Sequence, residues 1–352
     1  MKIDQYLVSA LQANASDLHF VSGDPVRARV HGSLREMANE TLTTEHVREC
    51  MQEIMDGTTQ AHFDQEDAAD FAYEIEEVSR FRVNVFRHLN GIGAIFRAIP
   101  SNALTLSELS MPKVVHDLCK HTQGMILVTG KTGSGKSTTL AAMIDSMNKR
   151  LKGHIITIED PVEFVHEAQG CLISQREIGV HSPSFAEALH SALREDPDVV
   201  LVGEMRDLET ISIAVTAAEM GILVMGTLHT NGAGQTVDRI VNSFPADKQS
   251  HIRTMISTSL RGVISQQLLP TKPHAGRVAA LEILINTPAV ANLIRQGKLD
   301  QLETAMQSGG KIGMQTMDSA LLNLVSQGTV AGRDAYQQAN DKSKFERMRN
   351  ED

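Results

Sequence analysis

The stretch Gly124 to Thr138, GMILVTGKTGSGKST, decides how the rest of the chain is read. Its first half is a short unbroken apolar run, the pattern of a strand buried on both faces. Its second half, Gly130 to Ser137, matches G-x-x-x-x-G-K-[ST] and opens a helical stretch over 136–149. In that strand–loop–helix setting, glycines let backbone N–H groups turn inward around phosphate oxygens, and the helix start adds partial positive charge. Gly130, Thr132, Gly133, Ser134, Gly135, Lys136, Ser137 and Thr138 are therefore candidate nucleotide-binding residues. The motif places Lys136 to reach the β- and γ-phosphates of a nucleotide and the Ser137 hydroxyl to ligate Mg²⁺, and alone it could serve a GTPase, a small-molecule kinase or a motor.

Further apolar runs follow: HIITIED (154–160), DVVLVGE (198–204) and ILVMGTLH (222–229), with helical stretches between them at 136–149 and 184–195. Ser184 and Glu187 have the spacing of a capping box. This alternation predicts an α/β fold, a parallel sheet with helices on both sides, in which ligands bind beyond the carboxyl ends of the strands. Those ends carry polar residues. Glu159, Asp160 and Glu163 lie within five residues, and one of them can act as the general base that orients an attacking water. Glu204, after Gly203, is placed to organise the water shell of Mg²⁺, and the His229 imidazole to donate toward the γ-phosphate. A GTPase would need an NKxD motif, and Asn148-Lys149-Arg150-Leu151 lacks the Asp.

Residues 1–98 read as a separate, smaller mixed α/β domain. A helix over 3–13 precedes SDLHF, where Leu18 and Phe20 alternate with Asp17 and His19 as on a half-buried strand. PVRARVHGSLREM has a hairpin-like alternation, a helical stretch follows near 43–56, and SRFRVNVFRHLNGIGAIFRAI alternates again with Arg80, Arg82, Arg87 and Arg97 on it. Residues 99–112, bounded by Pro100 and Pro112, read as a linker, and 113–285 as the nucleotide-binding domain. After 245 the pattern is mostly helical, apart from a strand at 276–285. Thr287-Pro288 then starts a helix within a helical C-terminal region, 286–352. The last dozen residues are charged and expected to fray.

The net charge of the 352 residues is −10, which argues against broad nucleic-acid binding. Cys50, Cys119 and Cys171 are far apart, giving neither a disulfide framework nor a metal-ligand pair and suiting a reducing compartment. The first residues lack the apolar run of a signal peptide. The longest apolar stretch, 211–228, is interrupted by Glu219 and Gly221. No membrane span is expected, and a cytoplasmic location is.

Taken together, the boxes resemble the type II/IV secretion ATPase superfamily, and most closely its pilus retraction branch, the PilT family. The likeness runs through ASDLHF, SRFRVNVF, VTGKTGSGKSTTLAAMID, HIITIEDPVEFVH, QREIG, FAEALHSALREDPDVVLVGEMRDLETI, GTLHTNGAGQTVDRIVNSFP and GMQTMD. The resemblance implies a PAS-like N-terminal domain, a RecA-like P-loop ATPase domain, and a homohexamer at the inner-membrane base of a type IV pilus. There it would act on a membrane platform protein and power twitching motility. It makes Glu163 the catalytic glutamate and Glu204 the Walker B acid. His229 heads a histidine box that runs to Arg239, and Arg82 and Arg97 are the N-terminal arginines placed near phosphate. Assembly and secretion motors of the superfamily commonly carry a four-cysteine zinc insertion, absent here, which favours retraction. Lys131 stands where the family has Pro, and AVANLIRQGK (289–298) has Ala291 and Gln296 where the retraction motif has Arg and Glu. Segments 283–299 and 313–328 also resemble the accessory PilU-type retraction ATPases, which implies a paralogous partner or an accessory role as the alternative. From other classes, a RecA-like nucleic-acid translocase and a non-hydrolysing nucleotide-gated scaffold remain as rivals.

Overall fold

The computed structural model describes residues 1–30, 33–76, 78–99, 103–272 and 276–350. Residues 31–32, within the hairpin-like stretch, and the linker residues Pro100 to Asn102 lie outside them. The chain divides into two compact units, Met1–Asn102 with Glu163–Val165, and Ala103–Val162 with His166–Asp352. Among the described residues no helix is long and apolar enough to cross a membrane.

In the first unit, α1 (Asp4–Gln12) leads into β1 (Ala15–Val21), β2 (Pro25–Val30) and β3 (Ser33–Thr41). Helices α2 (Thr44–Ile54) and α3 (Gly57–Glu66) follow, then β4 (Ala68–Ile75), β5 (Ser79–His88) and β6 (Gly91–Ile99). The helical stretch expected near 43–56 is α2, and a second helix, α3, follows it; Thr43 and Asp56 each accept a backbone N–H three residues on and so start one apiece. The strands form an antiparallel sheet in the order β3-β2-β1-β6-β5-β4. Its core joins Phe20, Phe81 and Phe96 to Leu7, Val47, Met51 and Phe63 from the helices.

One expectation fails on β1. Asp17 is not on a solvated face; it is 6% exposed. Strand register sets it opposite Arg97, which in turn faces Arg82. Arg97 Nε donates to Asp17 Oδ1 at 2.8 Å and the Ser16 hydroxyl donates to Oδ2 at 2.7 Å. Burial raises the Asp17 pKa, but these donors outweigh it and hold the carboxyl below its ordinary range.

The second unit begins with α4 (Lys113–Leu118) and β7 (Gly124–Thr129), then α5 (Lys136–Arg150), β8 (His154–Glu159), β9 (Leu172–Glu177), α6 (Phe185–Ala192) and β10 (Val199–Val202). It continues through α7 (Leu208–Glu219), β11 (Leu223–Leu228), α8 (Ala233–Asn242), α9 (Gln249–Ser259), β12 (Leu260–Pro270) and β13 (Arg277–Ile285). Helices α10 (Pro288–Gln296), α11 (Leu302–Ser308), α12 (Met317–Ser326) and α13 (Gly332–Gln338) complete it. The Ser184 and Thr287 caps expected from sequence are present, each accepting the N–H three residues on.

The sheet order is β13-β12-β7-β11-β10-β8-β9. All neighbours are parallel except β13, which pairs antiparallel to β12 at one edge. The sheet is therefore mixed rather than wholly parallel. Alternate side chains of the central strands enter two different cores. Leu127, Ile156, Val200 and Val224 pack with α6 to α9, while Ile126, Val128, Ile155 and Leu201 pack with α4 and α5. This two-sided burial is why the strands read as continuous apolar runs. Each such aliphatic side chain contributes about 1.5–3 kcal/mol.

Two expectations are corrected here. The region after 245 contains β12, an eleven-residue strand, as well as β13. The charged C-terminal segment is anchored, because Phe345 is fully buried against Met317, Leu321 and Ala335.

Candidate active site

Strands β7, β11, β10 and β8 are parallel neighbours in that order, so their carboxyl ends open at the same side of the sheet. The loop 130–135 leaves the end of β7 and returns as α5. Gly130 (φ +143°) and Gly135 (φ +86°) take backbone conformations that side-chain-bearing residues rarely adopt. A Cβ on Gly130 would also lie 2.3 Å from the Gln266 carbonyl oxygen, so only glycine fits.

The N-cap and first turn of α5, Gly135 to Thr138, place their N–H groups ahead of the helix's first i−4 bond, which Thr139 makes to the Gly135 carbonyl at 3.1 Å, and the helix dipole adds to them. Lys131, Thr132 and Gly133 are exposed, while Gly135, Lys136, Ser137 and Thr138 are half-buried. Lys136 Nζ folds back onto the carbonyl oxygens of Gly130, at 2.9 Å, and Lys131, at 3.1 Å. The Ser134 hydroxyl is buried with no protein partner. A glycine-rich loop leading into a helix start, with an ammonium and an orphaned hydroxyl, suits a polyphosphate.

At the end of β10, Gly203 N–H donates to Ile158 O at 2.7 Å and the Thr227 hydroxyl to Gly203 O at 2.5 Å, tying this turn to β8 and β11. These bonds fix the backbone that carries Glu204. His229 Nε2 lies 3.0 Å from Glu204 Oε1, and Arg206 pairs with the same oxygen. Partial burial pushes the Glu204 carboxyl up, but Arg206 and His229 together outweigh it and hold it below the usual carboxylate range. The ionised Glu204 carboxylate at the end of β10 and the Ser137 hydroxyl in the first turn of α5 are oxygen donors of the kind a hard divalent cation takes. The residues present fit Mg²⁺.

At the end of β8, Glu159 Oε1 accepts from the Thr157 hydroxyl at 2.6 Å and from Gln175 Nε2 at 3.3 Å. Asp160 and Glu163 are exposed beyond it. The N–H of Val162, next to Glu163, donates to the buried Glu177 carboxylate at 3.2 Å. Arg239 is exposed in the last turn of α8.

The structure thus brings Glu204 and His229 together on strand ends next to the phosphate loop. In the first unit, Arg82 and Arg97 are cross-strand neighbours beside Asp70 and Asp17, Arg82 Nε lying 3.8 Å from Asp70 Oδ1. Sequence reasoning missed Arg206, two residues after Glu204, and Gln266, a polar residue inside the apolar run of β12. A buried polar side chain within such a run is the signal that could have found Gln266.

A family model described as "Type II/IV secretion system protein" matches residues 1–336. The chain belongs to this family. It is 49% identical over 339 residues to the "Type IV pilus retractation ATPase PilT" of Pseudomonas aeruginosa, covering 96% of this chain and 98% of that one. It is 39% identical over 339 residues to the "Type IV pilus ATPase PilU" of the same organism, covering 96% and 89%. Among solved structures, one of the pilus retraction motor PilT with bound ADP superposes with a TM-score of 0.93. That pair is 42% identical and covers 99% of this chain and all of the other. The α/β architecture is that of these ATPases.

Proposed function

We propose that this chain is a Mg²⁺-dependent ATPase that powers type IV pilus retraction as a homohexamer. The observation that carries the reading is the Glu204–His229 pair on strand ends beside a glycine-rich phosphate loop that buries an unpartnered Ser134 hydroxyl. The greater identity to the retraction ATPase PilT than to PilU, 49% against 39%, supports the retraction motor over the accessory role.

In this reading Gly130 to Thr138 cradle the triphosphate of ATP. Lys136 exchanges the Gly130 and Lys131 carbonyls for β- and γ-phosphate oxygens, a swap of acceptors. Ser137 and Glu204 would hold Mg²⁺, which when bound would supply charge neutralisation for the phosphate oxygens. Glu163 takes the proton of the attacking water as its oxygen bonds to the γ-phosphorus and the bond to the β-phosphate oxygen breaks. His229 donates toward the γ-phosphate, and Glu204 keeps the imidazole oriented. Glu159, fixed by Thr157 and Gln175, shapes the water side of the site. Arg239, Arg82 and Arg97 supply cations to the phosphates. The 99–112 segment lets the two units move as sites fill and empty, acting on an inner-membrane platform protein from the cytoplasmic side. A paralogous retraction ATPase fits as a further partner.

The test is ATP turnover by the purified full chain and by Glu163→Gln. Turnover should fall about 10²- to 10⁴-fold, the usual worth of a positioned base, while nucleotide still binds. Wild-type turnover in the variant would overturn the assignment.

A further inference from the structure

The phosphate loop leans on a side chain that no motif marks. Gln266, 2% exposed, sits in β12 between the core residues Ile264 and Leu269. A carboxamide there needs hydrogen bonds at both ends, and both come from the loop and its helix. Nε2 donates to the Ser134 carbonyl at 2.7 Å, and Oε1 accepts from the Thr139 hydroxyl at 2.8 Å. The carbonyl can only accept, so the orientation of the amide is fixed. Thr139 is itself 1% exposed, so its hydroxyl has no water to turn to.

The consequence follows from the planar trans peptide. Carbonyl and N–H of one peptide unit point in opposite directions. With the Ser134 carbonyl held against Gln266, the Gly135 N–H faces away from β12. Gly135 lies so close that a Cβ on it would be 2.8 Å from Gln266 Nε2. On the other side of the strand, the adjacent Ser265 hydroxyl accepts the Gly232 N–H at 2.9 Å, just after the His229 segment. Residues 265 and 266 thereby tie both loops to a strand paired on each side, with β7 and β13.

We propose that Gln266 is a positioning residue of the phosphate loop: by holding the Ser134 carbonyl it turns the Gly135 N–H toward the phosphates of bound nucleotide. The inference rests on the reading of the loop as the ATP site.

The experiment compares steady-state ATP hydrolysis by the full chain with that of Gln266→Leu and Thr139→Val. The first removes both hydrogen bonds at nearly constant volume. The second leaves Gln266 in place but frees its Oε1. KM for ATP should rise about tenfold in the first and less in the second, as loss of one oriented hydrogen bond to a charged ligand implies. Because Glu163, Glu204 and His229 lie on other segments, kcat should stay within about threefold. The double variant should be no worse than Gln266→Leu alone, since both act through one contact. A merely structural role would lower the folded fraction, and so kcat, while leaving KM unchanged. KM within twofold of wild type in both variants overturns the proposal, and Thr139→Val decides alone if Gln266→Leu does not fold. Lys136→Ala is the control: unchanged KM and kcat there would instead overturn the ATP-site reading.

Discussion

His229 Nε2 lies 3.0 Å from Glu204 Oε1, at the ends of neighbouring strands, and Arg206 grips the same oxygen. The Glu204 pKa is lowered from an ordinary value of 4.5 despite burial, so the carboxylate persists into acid. His229→Ala removes one of the two opposing contributions. The acid limb of kcat/KM should then move to higher pH, while kcat falls about 10²-fold through the lost donor. An acid limb at the wild-type position, measured with saturating Mg²⁺, would separate the imidazole from Glu204.

Gly130→Ala tests the loop geometry. A side chain at φ +143° costs about 1–3 kcal/mol in backbone strain, and its Cβ would also meet the Gln266 carbonyl at 2.3 Å. The loop must shift, so ADP binding by calorimetry should be lost while the rest of the unit stays folded. Wild-type affinity would show that the loop tolerates the change.

How much of this was readable follows from where hydrogen-bond partners lie. Strands β7, β8, β10 and β11 were legible because both of their faces enter apolar cores, and the site residues sit directly at their ends. Strand β12 was not, because Ser265, Gln266 and Gln267 interrupt its apolar run. Two of those three bond to loops more than thirty residues away in sequence, at Gly232 and Ser134. Edge strand β9 reads as LISQRE, too polar for a buried strand, since only one side of it is paired. Asp17 was placed on the wrong side by alternation alone; its burial depends on Arg97, eighty residues on. Phe345 and Met348, two apolar residues among charges, are too few to mark a helix, yet both pack against the core of the C-terminal region and anchor it.

Asp17→Asn should destabilise the first unit by about 1 kcal/mol, a modest figure because Arg97 is largely exposed and its ion pair is screened. The folded pKa is depressed below 3.8, so this stabilisation is present above 3.8 and disappears as pH falls through the lower folded value. Denaturant titration of the full chain at neutral pH and in acid should show the wild-type advantage only at neutral pH. An equal advantage at both would mean that packing, not charge, is responsible.

Glu282 is the opposite case. It is 5% exposed on β13 and accepts the N–H of Ala233, at the start of α8, at 2.8 Å and that of Met317, at the start of α12, at 3.2 Å. Two helix N-termini favour its charge, yet burial dominates and raises its pKa from 4.5. The folded state therefore holds this proton more tightly than the unfolded chain does. Stability from Glu282 is greatest below 4.5 and declines as pH rises through the folded value. Glu282→Gln cannot ionise, so its melting temperature should fall less than the wild type's between pH 4.5 and neutrality. The variant also sets an amide NH₂ against one of the two backbone donors, costing about 1–3 kcal/mol at every pH. That offset lowers the whole curve without changing its slope, and the slope is the quantity to measure. Parallel wild-type and variant curves would place the Glu282 pKa at its ordinary value, with the two helix starts offsetting burial instead of yielding to it.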